Sequence, residues 1–225
     1  MLVEGAAQRG GIERIEDRQA AEALHLSDLA DGGFVILILI ADEVMTGWGR
    51  TGTLLACEQA GVVPDILCLS KGLTGGAIPL AVTMATPAIF EAHYSTDKAK
   101  MFFHSSSYTA NPIACAAGLA NLEVWAHEPV MDRIATLAAC QEERIHALPK
   151  VRDARRLGTI AACEIGGGEG YLASIGPALL AFFRERDLLV RPMGNNVYVM
   201  PPYCIDEADL DRVYAAIGEA AERFG

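Results

Sequence analysis

The stretch "PDILCLSKGLTGG", Pro64 to Gly76, is where the reading of this chain turns. Four of the five residues Asp65–Leu69 are apolar, and a proline precedes them. That is the pattern of a short buried strand. Lys71 falls just past its end, where an open α/β sheet presents groups to a ligand. An amine there is costly to desolvate. It is either an accident of the sheet's edge or a working group.

Upstream, "FVILILI" (34–40) is aliphatic on both alternating faces, as a central parallel strand is when helices cover both sides. "LLACEQA" then reads as a short helix closed by Gly61, which leads to the strand before Lys71. The order strand, helix, strand predicts a βαβ unit. "AVTMA" (81–85) is a further strand. Asn111-Pro112 opens a buried helix over 113–127, and an amphipathic helix follows over 129–148. Beyond these, "GTIAACEI", "LLVRP" and "NVYVM" read as strands, with helices over 171–187 and 206–223. An earlier helix is expected within 11–30, stopped by Gly32-Gly33. The fold expected is α/β: a partial, mainly parallel cofactor-binding domain over 1–127 and a small α+β domain over 128–225.

The chain has 225 residues, enough for a substantial core, and a formal net charge of −11. That charge argues against a nucleic-acid surface. The six cysteines form no Cys-x-x-Cys pair, as expected of reduced thiols in a cytoplasmic protein. The first residues are too charged for a signal peptide, and the longest aliphatic run is far short of a membrane span. "GGGEG" lacks the Lys-Ser/Thr of a phosphate loop and reads as a connection. The five histidines have no triad or ligand spacing.

In "IADEVMTGWGRTG", Asp42 and Glu43 stand where the aliphatic strand ends, 29 residues before Lys71. If the two strands are neighbours, Asp42 and Lys71 share one rim. They could pair as ions, or flank a ligand that needs both. Pyridoxal 5'-phosphate is such a ligand: its aldehyde condenses with an amine, and its ring nitrogen keeps a proton opposite a carboxylate.

Three motifs in order, "IADEV.TGWGRTG", "PDILCLSKGLTGG" and "FHSSSYTANPIACAA", resemble the class III, fold-type I pyridoxal-phosphate aminotransferases. The resemblance runs from about Val35 to the end. "RPMGNNVYVMPPY" narrows it to members serving biotin synthesis, which implies S-adenosylmethionine as amino donor and 8-amino-7-oxononanoate as acceptor. It also implies that Lys71 is the catalytic amine forming the internal aldimine, with Asp42 facing the pyridine nitrogen. Ser107 takes the family's phosphate position, with Ser106 and Ser105 filling the adjoining cofactor and substrate positions. Arg191 receives the substrate carboxylate, Tyr198 walls the pocket, and Trp48 and Arg50 shape the site. Glu43 makes structural hydrogen bonds. Because the serine segment serves the opposite subunit in the family, a homodimer is implied.

The departures are as informative. The family's Gly-Ser phosphate loop, stacking aromatic and most substrate-pocket aromatics are not found upstream of Asp42. The chain therefore reads as a carboxyl-terminal piece, expected to hold the cofactor weakly by itself. Three alternatives stand beside this reading. One is a class III member acting on an ω-amino acid or diamine. Another is a non-catalytic remnant. The third is a Ser-Lys hydrolase built on Ser70-Lys71, which adjacent side chains at a strand end disfavour.

Overall fold

The computed structural model describes residues 38–104, 107–167 and 170–225. The helix expected within 11–30, most of the aliphatic strand, Ser105 and Ser106 lie outside the described residues.

The first sheet has the order β1-β2-β3, from β1 (Ile40–Asp42), β2 (Ile66–Leu69) and β3 (Val82–Ala85). β1 and β2 are parallel, with Asp42 opposite Cys68, and the short helix α1 (Ala56–Gln59) lies on the crossover. The βαβ unit is therefore present. β3 runs antiparallel to β2, so this sheet is mixed rather than wholly parallel. Between β2 and β3, Lys71–Thr74 forms a single 3-10 turn, ended by Gly75 at φ 61°.

A helix α2 (Pro87–His93), not anticipated from the sequence, follows β3. α3 (Pro112–His127) begins where expected, because the Asn111 side chain accepts from the amides of Ile113 and Ala114 and Pro112 occupies the first turn. It is not the buried helix expected. Only Ala114 and Gly118 are buried, while Ile113, Leu119 and Leu122 are exposed. One side packs on the Lys71–Thr74 turn and Leu80, and no described element covers the other.

α4 (Val130–Ala147) leads into the second sheet, of order β4-β5-β6: β4 (Val151–Leu157), β5 (Ile160–Ile165) and β6 (Asn196–Val199), all antiparallel. β4 was missed because "VRDARRL" looks polar. It is an edge strand with a register shift between Arg152 and Arg155, and charge on an edge blocks further pairing. "LLVRP" is not a strand. Pro192 has no amide to give a ladder, and the chain turns at once into the Met193–Asn196 bridge. The helix expected over 171–187 shortens to α5 (Gly176–Arg184), started by Pro177. α6 (Glu207–Phe224) closes the chain, capped by Asp206, whose carboxylate accepts from the Asp209 amide at 2.7 Å.

A continuous core joins α4, β5, β6, α5 and α6 through Ile145, Cys163, Ile165, Leu179, Phe183, Val197 and Ile217. A buried polar line threads it: Tyr214 donates to Gln141, and Gln141 donates to the Thr159 carbonyl at 2.7 Å. The architecture is a partial α/β arrangement followed by a small α+β unit. All six cysteines are free. No described helix is long and apolar enough to cross a membrane.

Candidate active site

Parallel pairing of β1 and β2 sets their carboxyl ends side by side, so Asp42 and Lys71 occupy one rim of the sheet. Both are exposed. They do not pair with each other: among the described residues Lys71 enters no ion pair, and the Asp42 carboxylate accepts from the Val44 amide at 3.1 Å. A free amine and a free carboxylate at adjacent strand ends fit a ligand that must be held between them. Pyridoxal phosphate is a ligand of that chemistry, with an aldehyde that condenses with an amine and a ring nitrogen whose proton a carboxylate stabilises.

The backbone around Lys71 is tightly built. Lys71 has φ 38°, a left-handed conformation that a residue with a β-carbon occupies at a cost of about 1–3 kcal/mol. Ser70 donates to the Leu80 carbonyl at 2.7 Å. Asn121, from α3, donates to the carbonyls of Gly72 (2.9 Å) and Leu73 (3.2 Å). Trp48 lies directly on Gly72, where a β-carbon would stand 2.5 Å from Trp48 Cβ and 2.7 Å from Cγ. Gly72 is thus required by its neighbour rather than by its own dihedral angles.

Glu43 plays the structural part expected of it. Its carboxylate is buried and accepts from Thr46 Oγ1 (2.5 Å) and the Cys57 amide (2.7 Å), tying the strand end to α1. Burial alone would raise its pKa. The hydrogen bonds from Thr46 and the amides of Ala56 and Cys57 outweigh that and hold it below the ordinary carboxylate value.

Trp48 and Arg50 carry the first sheet to the second. Arg50 Nη1 donates to Thr159 Oγ1 (3.1 Å) and the Pro201 carbonyl (2.7 Å), and its guanidinium lies 4.5 Å from the Tyr203 ring centre. Thr159 returns a bond from its amide to the Arg50 carbonyl at 3.0 Å. Tyr203 donates its hydroxyl to the Trp48 carbonyl at 2.6 Å. Trp48 and Tyr203 each meet Trp125 edge-on.

The remaining candidates stand on other elements of the chain. Ser107 is exposed and lines an open cleft of about 1690 Å3 with Phe90, Tyr94, His104 and Tyr108. Ser70 reaches that cleft, whereas Asp42, Lys71, Arg191 and Tyr198 do not line it. Arg191 sits exposed in the loop after Val190, outside every ion pair among the described residues. Tyr198 alternates on β6 with the buried Val197 and Val199, so its half-buried ring points away from the core. Asn121, Gly72 and Tyr203 were not singled out from the sequence. An amide side chain within the apolar "AAGLANLEVW" was the signal available for the first of them.

A family model described as "Aminotransferase class-III" matches residues 17–221. The chain belongs to the class III aminotransferase family. The match begins upstream of Val35, where the resemblance was expected to start. Adenosylmethionine-8-amino-7-oxononanoate aminotransferase of Synechococcus elongatus is 40% identical over 231 residues, covering 100% of this chain and 52% of that protein. The crystal structure of the same-named enzyme from Methanocaldococcus jannaschii superposes with a TM-score of 0.74 at 32% identity, over 84% of this chain and 46% of that one. An amine transaminase from an uncultivated Pseudomonas species, solved with PLP bound as the internal aldimine, gives a TM-score of 0.71 at 30% identity. It covers 84% of this chain and 45% of its own. The family is pyridoxal-phosphate-dependent. The chain spans about half the length of the curated relatives it matches.

Proposed function

We propose that this chain is the carboxyl-terminal half of a cytoplasmic, homodimeric aminotransferase of biotin synthesis. It would transfer an amino group from S-adenosylmethionine to 8-amino-7-oxononanoate, giving 7,8-diaminononanoate. Residues 1–127 would be the partial cofactor-binding domain and 128–225 the small domain. The observation that carries the reading is the unpaired amine and carboxylate at adjacent parallel strand ends, Lys71 and Asp42.

When bound, pyridoxal phosphate supplies an electron sink for the carbanion formed at the substrate's α-carbon. Lys71 Nζ would hold the cofactor through its aldehyde group, and as a free amine it would carry a proton to and from the substrate's α-carbon. The Asp42 carboxylate would stabilise a proton on the ring nitrogen. Arg191 offers a planar fork for a substrate carboxylate, and Tyr198 a wall beside it. Ser107, with Ser105 and Ser106, offers hydroxyls and amides to a phosphate.

The test is borohydride reduction of the chain with millimolar pyridoxal phosphate, followed by peptide mapping. Selective label on Lys71 is expected; uniform or absent label overturns the reading and leaves the non-catalytic remnant. The second reading, an amine or ω-amino-acid transaminase, is favoured by the Pseudomonas neighbour. Acceptor-dependent consumption of S-adenosylmethionine by the full-length protein separates the two. Strict preference for alanine or pyruvate would establish the second.

A further inference from the structure

We infer that Trp48 and Asn121 are positioning residues for Lys71, holding its left-handed backbone through two separate contacts, and that Tyr203 ties this clamp to the second sheet. The inference rests on Lys71 being the reactive amine proposed above.

Two observations carry it. Lys71 and Trp48 are both non-glycine residues with positive φ, at 38° and 62°. Left-handed backbone at such residues persists only where surroundings over-determine it. Here the surroundings are specific. The Trp48 side chain covers Gly72, leaving no room for a β-carbon, so the residue after Lys71 cannot move toward the indole. From α3, Asn121 Nδ2 bridges the carbonyls of Gly72 and Leu73, fixing the plane of the peptides that follow Lys71. Between these contacts the turn has one position, and Lys71 is its first residue.

The link to the second sheet comes from the Trp48 backbone. Tyr203, between β6 and α6, donates to the Trp48 carbonyl at 2.6 Å, and Trp125 of α3 closes the triangle edge-on to both rings. Burial pushes the Tyr203 phenol above its ordinary pKa, opposed in part by the nearby Arg50 charge, so the hydroxyl remains a donor across the working range. A displacement of the second sheet therefore pulls on Trp48, and Trp48 bears on Gly72. In this reading each of the three acts through the backbone of Lys71.

The experiment is the rate of labelling of Lys71 by pyridoxal phosphate and borohydride in the whole 225-residue chain, divided by that of Lys98 in the same sample. The internal ratio is insensitive to yield and to global changes in reagent access. Trp48→Leu and Asn121→Leu should each lower it about tenfold, since an ångström of misplacement can cost up to about a hundredfold. Trp48→Phe, which keeps an aromatic ring on Gly72, should restore most of the ratio. Tyr203→Phe, which keeps the stacking and removes one hydrogen bond, should lower it by a smaller factor. If wild-type Lys71 is labelled no faster than Lys98, the functional reading falls and this inference with it. If wild-type Lys71 is selectively labelled but the two leucine variants stay within about twofold of it, the inference alone is overturned. A Trp48→Phe variant as low as Trp48→Leu also overturns the contact proposed for the ring.

Discussion

The two three-stranded sheets of this chain use similar strands and arrive at opposite surfaces. In the second sheet, β5 and β6 turn Cys163, Ile165 and Val197 into a closed core with α4, α5 and α6. In the first, all four residues of β3 are exposed, Ile40 on β1 is 45% exposed, and α3 shows solvent an apolar face. Yet the first sheet carries the free amine and carboxylate. The second half is a closed core and the first an open surface, joined through the loop over 46–52 and through Trp125 against Tyr203.

The largest effect expected from this contrast is on stability. Phe183 is fully buried among the helices of the second sheet. Phe183→Ala should cost about 3–5 kcal/mol, the range for emptying a closed aromatic site. Leu69 is a buried apolar position beside Lys71, but its sheet has open faces and can relax or admit water. Leu69→Ala should cost about 2 kcal/mol, at the low end of its class. Urea unfolding of both variants checks this, and equal losses would refute the contrast between a closed and an open half.

The same contrast explains what could be read in advance. The β1–α1–β2 order and the place of Lys71 were legible because a buried parallel pair needs continuous apolar runs and the turn after it needs glycine. Two helix starts were legible too, at Asn111-Pro112 and near 206, and the side chains of Asn111 and Asp206 cap them locally. What failed depended on distant partners. β4 hid behind its arginines because an edge strand answers to solvent, and "LLVRP" looked like a strand because nothing local reveals the lack of a neighbour. The burial of α3 was misjudged for the same reason. In the site, Lys71 and Asp42 could be found by spacing, whereas Asn121 and Tyr203 act from 48 to 155 residues away along the chain.

A middle-sized effect probes the open half through Glu43. Its carboxyl is held below the ordinary value in the folded chain, so its contribution is fully present above the unfolded pKa and is lost as pH falls through the folded one. Glu43→Gln removes the charge but keeps the shape. It should cost about 1–3 kcal/mol near neutral pH, because Thr46 and the Cys57 amide lose a charged acceptor. It should also flatten the acid slope of stability, so wild type and variant converge well below the carboxylate range. Urea midpoints across that range measure both. A variant as acid-sensitive as wild type would mean that another group controls the strand end.

The smallest effect tests whether the closed half depends on charge at all. Arg144 on α4 pairs with Asp211 on α6 at 2.7 Å, and this hydrogen bond raises the guanidinium's pKa. The Asp211 carboxylate, however, is 64% exposed, where water and salt compete for it. Beneath it the helices already meet through Ile145, Leu210, Tyr214 and Ile217. Asp211→Asn should therefore cost about 0.2–1 kcal/mol and become indistinguishable from wild type in high salt. Differential scanning calorimetry at two ionic strengths resolves this. A loss above about 2 kcal/mol, unmoved by salt, would mean that the helices are clamped by that ion pair. The second sheet would then owe its rigidity to charge rather than to apolar packing.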